Sequence, residues 1–320
     1  MSTLLEVENL NVSFTTPDGV VRAVNGLSFV LGQGETLGVA GESGSGKSQT
    51  AMAVMGLLAR NAKVSGSIRF DGRELLGLTA AQMNAIRGCD IGMIFQDPMT
   101  SLNPYLRIGP QMAEVLVQHR GMGMDAALAA SVQMLEAVHM PDAHNRLRQY
   151  PHEISGGQRQ RVMIAMTLLC KPRLLIADEP TTALDVTIQA QIIDLLAELR
   201  RELGLAILLI THDLGVVAEL CERTLVMYAG QVMEQGTTAR LLSAPSHPYT
   251  RGLVLSRPGQ DMRTDADLPV IPGAPPDLTK LPAGCPFQPR CGHALPVCAE
   301  LNPPLRESNG VQRACHVSLG

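Results

Sequence analysis

Two runs near the start of the chain, "LLEVENLNVSF" and "VRAVNGLSFVL", alternate apolar and polar positions on either side of a Pro-Asp-Gly turn. A period of two interrupted by such a turn predicts an antiparallel hairpin. The pattern then changes. "ETLGVAG" is a short apolar run that leads into glycines and on into an apolar helical stretch, "KSQTAMAVMGLL". Further runs at "SGSIRF", "IGMIFQ", "RLLIADE", "AILLITH" and "RTLVMYAG" read as strands, and "VTIQAQIIDLLAELRREL" is the clearest of the helices between them. Strands alternating with helices predict an α/β domain with a mainly parallel central sheet, whose ligands bind beyond the carboxyl ends of the strands. Between about residues 98 and 170 the pattern is helical, with methionines at apolar positions, which predicts an inserted helical subdomain with methionine filling its core. After about residue 245 proline and cysteine take over, predicting an extension built from turns with little helix.

Composition narrows this picture. With 320 residues, 45% of them hydrophobic, the chain can bury a full core and is expected to hold one large domain, residues 1–245, plus an extension, residues 246–320. A net charge of -4 gives no electrostatic reason to expect a nucleic-acid partner. The first residues, "MSTLLEVENL", carry no basic segment and break their apolar run with Glu6 and Glu8, unlike a secretory leader. Runs such as "LAILLI" fall well short of the roughly 20 apolar residues that span a bilayer, so the chain is not expected to cross a membrane itself. Cys89, Cys170 and Cys221 lie in apolar or strand-like contexts and read as small reduced core residues.

Chemistry enters at "GESGSGKS", residues 41–48, which fits the phosphate-loop pattern G-x-x-x-x-G-K-[ST] between a strand and a helix. Gly41, Glu42, Ser43, Gly44, Ser45 and Gly46 form the loop, whose glycines let backbone N–H groups converge on anionic oxygens. Lys47 then reaches the terminal phosphates and Ser48 offers its hydroxyl to Mg²⁺, with Gln49 beside them. A nucleoside triphosphate is the ligand this predicts. "LLIADE" is an apolar strand ending in Asp178 and Glu179. Neighbouring strand residues point to opposite sides, so one carboxylate is free to face the metal and the other a water. A carboxylate beside the γ-phosphate orients and deprotonates the attacking water.

A second glycine turn, "ISGGQRQR", precedes another helix. Ser155 is placed to cap it, and the N–H groups of Gly156 and Gly157 at its start favour an anion. With the phosphate loop and the Asp-Glu strand, this turn resembles the Leu-Ser-Gly-Gly-Gln signature of ABC transporter nucleotide-binding subunits, Ile154 standing in place of the leucine. The resemblance implies that two such domains pair head to tail, so that Ser155, Gly156, Gly157 and Gln158 of one close over the ATP held by the other. It further implies that Phe14 stacks on adenine, although a place in the hairpin core is the competing reading, and that Gln96 in "FQDP" contacts Mg²⁺ and the attacking water. Asp185, ending "ALD", would cross the dimer interface, and His212 in "LLITHD" would bond the γ-phosphate. The segments "FQDPMTSLNP", "HPYT" and "IPGAPPDL…LPAGCPFQPRC" narrow the resemblance to the oligopeptide and dipeptide importer branch, its oligopeptide ATPase subunits above all. That branch implies a cytoplasmic subunit beneath two membrane-spanning permease subunits, commonly paired with a homologous ATPase, a second copy of itself being the alternative, and served by an extracytoplasmic peptide-binding protein.

Cys285, Cys291, Cys298 and Cys315 crowd the tail. Four thiols in a turn-rich segment of a cytosolic protein suggest metal rather than disulfides. The absence of a Cys-x2-Cys hook favours a [4Fe-4S] cluster over zinc, free thiols remaining the third reading, and the resemblance to dipeptide-branch subunits points the same way. His293 and His316 are candidate substitute ligands that read more simply as surface histidines. Nickel and glutathione importers share much of this pattern and are the alternative transport reading. A soluble ABC ATPase acting on DNA or ribosomes is the rival from another class, but the inserted coiled coil or second ATPase domain typical of such proteins does not occur here. A regulatory module without turnover would not need Glu179 and His212.

Overall fold

The computed structural model describes residues 2–96, 101–182, 184–256, 270–308 and 310–317. Its strands are, in chain order, β1 (Thr3–Thr16), β2 (Gly19–Gly32), β3 (Thr36–Ala40), β4 (Ala62–Phe70), β5 (Arg73–Glu74), β6 (Ile91–Ile94), β7 (Leu174–Asp178), β8 (Ala206–Thr211), β9 (Arg223–Tyr228), β10 (Gln231–Thr237), β11 (Arg306–Ser308) and β12 (Val311–Arg313). The chain divides into two compact units. One holds residues 77–208 with 32–35, and the other holds 3–31, 36–76 and 209–320.

In the second of these units the predicted hairpin is β1 and β2, joined through Pro17 and Asp18, in a sheet of order β2-β1-β4-β5. The apolar alternation along β1 changes phase, from Leu5 and Val7 to Leu10 and Val12, yet all four are buried. A bulge absorbs the slip: the register with β4 shifts between Glu8 and Asn11, and Asn9 takes φ 46°. Without that extra residue one pair of side chains would face water. β3, buried at every position, pairs in parallel with β9, and β9 pairs antiparallel with β10.

The other unit carries the inserted helices. Ile108–Arg120, Met124–Ala137 and Gly156–Leu168 pack around Ile108, Met112, Leu116, Ala127, Leu135, Val162 and Leu168, and the described residues between 101 and 170 include no strand. Met112, Met140 and Met163 are buried, as expected of core filler, whereas Met124 is 49% exposed. β6 and β7 run parallel in this unit, with Ile91 opposite Leu174. The helix Val186–Leu203 matches its predicted span, starting at the Asp185 cap and stopping at Gly204.

The tail is more regular than its composition predicts. A helix, Pro248–Leu255, begins with proline at its first position, where the missing N–H costs nothing. β12 adds to β10, with Glu234 opposite Arg313, and β11 adds to β12. Turn-only structure is therefore corrected: proline density limits helix length but leaves three-residue strands free to extend an open sheet edge. Tyr249, Cys285, Phe287 and Cys298 of the tail join Val226, Tyr228 and Met233 in one buried cluster.

Candidate nucleotide site

β3 delivers the chain into the phosphate loop, and the helix Lys47–Met55 leads out of it. Gly46 sits at the cap with φ 100°, and a Cβ there would meet the carbonyl oxygen of Ala23 at 2.2 Å, so only glycine closes the loop. Lys47 is buried, its Nζ donating to the carbonyls of Gly41 at 2.7 Å and Glu42 at 2.9 Å. The Ser45 hydroxyl is buried with no hydrogen-bond partner, and Ser48 and Gln49 lie half-buried in the first helical turn. An ammonium, a spare hydroxyl and a helix start on a glycine cradle suit a run of phosphates. Phe14 is half-buried on β1 opposite Ala62. His212 is exposed just past β8, where Asp213 caps the following helix through the N–H of Gly215 at 2.6 Å. All these residues belong to one unit.

The carboxylates belong to the other unit, and strand alternation does not orient both of them. β7 ends at Asp178, which is buried. Glu179 is past the strand, in a turn, with φ 48°. Its direction therefore comes from a left-handed backbone, not from strand alternation. Such a conformation costs a non-glycine residue about 1–3 kcal/mol and persists only where surroundings enforce it. Glu179 Oε2 accepts from Gln96 Nε2 at 2.9 Å and from Thr182 Oγ1 at 2.9 Å, so Gln96 and Glu179, 83 residues apart, do meet. Asp97, Pro98, Met99 and Thr100 of the "FQDPMTSLNP" segment, and Ala183 of "ALD", lie outside the described residues.

Gln160 is a residue the motif reading missed. It is 1% exposed and donates to the Pro180 carbonyl at 2.6 Å, bracing the turn that carries Glu179. Helical spacing could have found it, because Gln160, Ile164 and Leu168 share one buried face. The same helix starts as expected. The Gln158 N–H donates to Ser155 Oγ at 3.3 Å and the Ser155 N–H to Gln158 Oε1 at 3.1 Å, a reciprocal cap. A Cβ on Gly157 would stand 2.8 Å from Ile188 Cγ2, so this position is closed to a side chain by the helix Val186–Leu203. Asp185, exposed, caps that helix by accepting from the Ile188 N–H at 2.9 Å.

Residues 24–182 match the family model described as ABC transporter, and residues 233–298 match the one described as Oligopeptide/dipeptide transporter, C-terminal region. Over 312 residues the chain is 59% identical to the Oligopeptide transport ATP-binding protein OppD of Salmonella typhimurium, covering 98% of this chain and 93% of that protein. The chain belongs to the oligopeptide and dipeptide branch of the ABC transporter family. This ABC protein is also 52% identical, over 95% of its length and 91% of the relative's, to the Dipeptide transport ATP-binding protein DppD of Bacillus subtilis. Among solved structures, it resembles a dimeric ATP-binding cassette in a post-hydrolysis state bound to ADP and Pi, with TM-score 0.66 and 26% identity over 73% of this chain and 98% of that one.

The tail of the ABC protein brings its four cysteines together. Cys285, Cys291, Cys298 and Cys315 line one small cavity with His247, Phe287 and His316, all as free thiols. Burial pushes the Cys285 thiol up to about 11, helped by the neighbouring thiols, and raises Cys291 and Cys315 as well. For Cys285, Cys291 and Cys315 this burial disfavours the thiolate, unlike the setting of reactive cysteines. Among the described residues no three His, Cys, Asp or Glu side chains are grouped closely enough to hold a metal ion. The donors suit a soft metal by chemistry, but their spacing is not that of a preformed site. His293 is exposed, and His316 Nε2 lies 2.9 Å from the Leu301 carbonyl. His247, which the sequence offers only as the first residue of "HPYT" and not as a candidate ligand, is 1% exposed. Cys170 and Cys221 are buried, while Cys89 is half-buried. No described helix is long and apolar enough to cross a membrane.

Proposed function

We propose that this chain is the ATP-binding and ATP-hydrolysing subunit of an ABC importer that takes up oligopeptides or dipeptides. The observation that carries the catalytic part is the Gln96 amide on the Glu179 carboxylate at 2.9 Å, with Glu179 aimed by a left-handed backbone. In this reading the loop N–H groups and Lys47 grip the phosphates, Phe14 stacks on adenine, and Ser48, Gln96 and Asp178 hold Mg²⁺. The metal, when bound, neutralises phosphate charge. Glu179 takes the proton of the attacking water, Gln96 orients both, and His212 bonds the γ-phosphate. Ser155, Gly156, Gly157, Gln158 and Asp185 serve the nucleotide of a second ATPase subunit, a homologous chain in preference to a second copy. Residues 1–245 act as the nucleotide-binding domain, its helical part at about 98–170, and 246–320 as the branch-specific extension.

The subunit works at the cytoplasmic face of the cell membrane beneath two permease subunits, and an extracytoplasmic binding protein delivers the peptide. A cleft of about 870 Å³ among the inserted helices, lined by Met124, Leu128, Val132 and Leu147 with Arg107 and Arg148 beside them, supports a permease segment as docking partner. In the tail, the shared cavity of Cys285, Cys291, Cys298 and Cys315 supports a [4Fe-4S] cluster, with zinc as the alternative; loading must draw the thiols closer than they stand. Anaerobically purified protein should contain iron and acid-labile sulfide, and lack of both removes the cluster. For the ATPase, Glu179→Gln should keep ATP binding while lowering hydrolysis a hundredfold or more, about the scale of general-base catalysis. Undiminished turnover in that variant overturns the assignment.

A further inference from the structure

The second residue of the phosphate loop is tied to the far end of the chain. Arg290, 8% exposed, places its guanidinium fork on both carboxylate oxygens of Glu42, at 2.6 and 3.0 Å. The fork is itself fixed from behind. Arg290 Nε donates to the Pro272 carbonyl at 2.8 Å, Nη2 to that of Ile271 at 3.3 Å, and Nη1 to the Tyr228 hydroxyl at 3.2 Å. The main chain of Glu42 is held as well, since its N–H donates to the Tyr249 hydroxyl at 2.9 Å and its carbonyl accepts from Lys47 Nζ. Pro275, Pro276 and Leu278 of the tail line a small crevice with Glu42, Ser43, Gly44 and Ser45.

We propose that Arg290 is a positioning residue for the phosphate loop: by clamping Glu42 it holds the loop N–H groups and Lys47 in the arrangement that accepts phosphates, so the tail sets nucleotide affinity. The inference rests on the nucleotide reading above. A glycine-rich loop is the most deformable backbone a chain can have, so holding it rigid requires contacts from outside it. Donors that are already in place gain affinity because no ordering remains to be done on binding. A planar fork bound to a carboxylate and two carbonyls is not replaceable by lysine, which is a point charge on a flexible stem.

The test uses the full-length chain with Mg²⁺ and a fluorescent N-methylanthraniloyl ATP, and thermal unfolding is followed in parallel. Arg290→Met and Glu42→Gln should each weaken binding by about tenfold, equal to about 1.4 kcal/mol. Arg290→Lys should recover little of it, and the double variant should bind no worse than Arg290→Met alone, because both remove one contact. In the assembled transporter Arg290→Met should raise KM for ATP with kcat within about twofold, a split that a general loss of fold does not produce. Glu42→Gln leaves the tail intact and keeps the test sound if Arg290 variants misfold. Wild-type affinity in folded Glu42→Gln, or effects of the two single variants that simply add, overturns the inference. Lys47→Ala separates the two levels: if wild type binds and Lys47→Ala does not, the nucleotide reading stands whatever Arg290 does, whereas absence of binding by wild type removes that reading itself.

Discussion

His247 shows how burial decides the state of a side chain. It is 1% exposed, and its Nδ1 accepts from the Tyr249 N–H at 3.0 Å, capping the helix Pro248–Leu255. Burial, aided by the charge of Arg313, lowers its pKa from 6.5 to about 3. The folded chain thus keeps this imidazole neutral where the unfolded chain protonates it. The sign follows. Between pH 6.5 and about 3 the unfolded state binds more protons, so the stability contribution is complete above pH 6.5 and is lost as the pH falls. The slope is up to about 1.4 kcal/mol per pH unit. Denaturant unfolding of wild type at pH 7 and pH 5.5 should show the decline, and His247→Asn, which keeps an acceptor for the cap, should flatten it. Glu179 makes the complementary point at the same scale, because its left-handed backbone aims a carboxylate that strand geometry would have sent elsewhere.

Among elements, the tail is attached in part by an aromatic contact set. Phe287 packs edge-on to Tyr228 at 5.3 Å and tilted on Tyr249 at 5.3 Å, and all three are buried. Tyr228 closes β9, while Tyr249 lies in the tail helix and touches the phosphate loop through its hydroxyl. Phe287→Ala removes the ring that joins these elements. It should destabilise the fold by about 3–5 kcal/mol, the cost of emptying a buried aromatic site. The denaturant midpoint is the measurement, and an unchanged midpoint would show the Phe287 ring contributing nothing to the core. The helix Gly156–Leu168 behaves differently, because its start is set by its own first residues. The reciprocal Ser155 and Gln158 cap needs no distant partner, which is why it could be read from "SGGQ".

At the scale of the whole molecule, what could be read in the chain and what could not divide by sequence distance. β3 with the phosphate loop, the span of the helix Val186–Leu203 and the Ser155 cap were legible because each is specified by apolar periodicity, glycine placement or a capping residue within a few positions. β10, β11 and β12 were not, because short polar strands acquire their identity from the neighbour they pair with. The motifs also named Gln96 and Glu179 without showing that they meet, and they left Gln160 unnoticed behind the turn it braces. By itself the sequence determined the class of fold, the phosphate loop and the chemistry its residues offer, since these depend on backbone and side-chain preferences that act locally. Only the tertiary structure decided that Arg290 clamps Glu42 across 248 positions and that four tail thiols share one cavity. Such contacts exist only once burial has brought distant segments together, and no local preference encodes them.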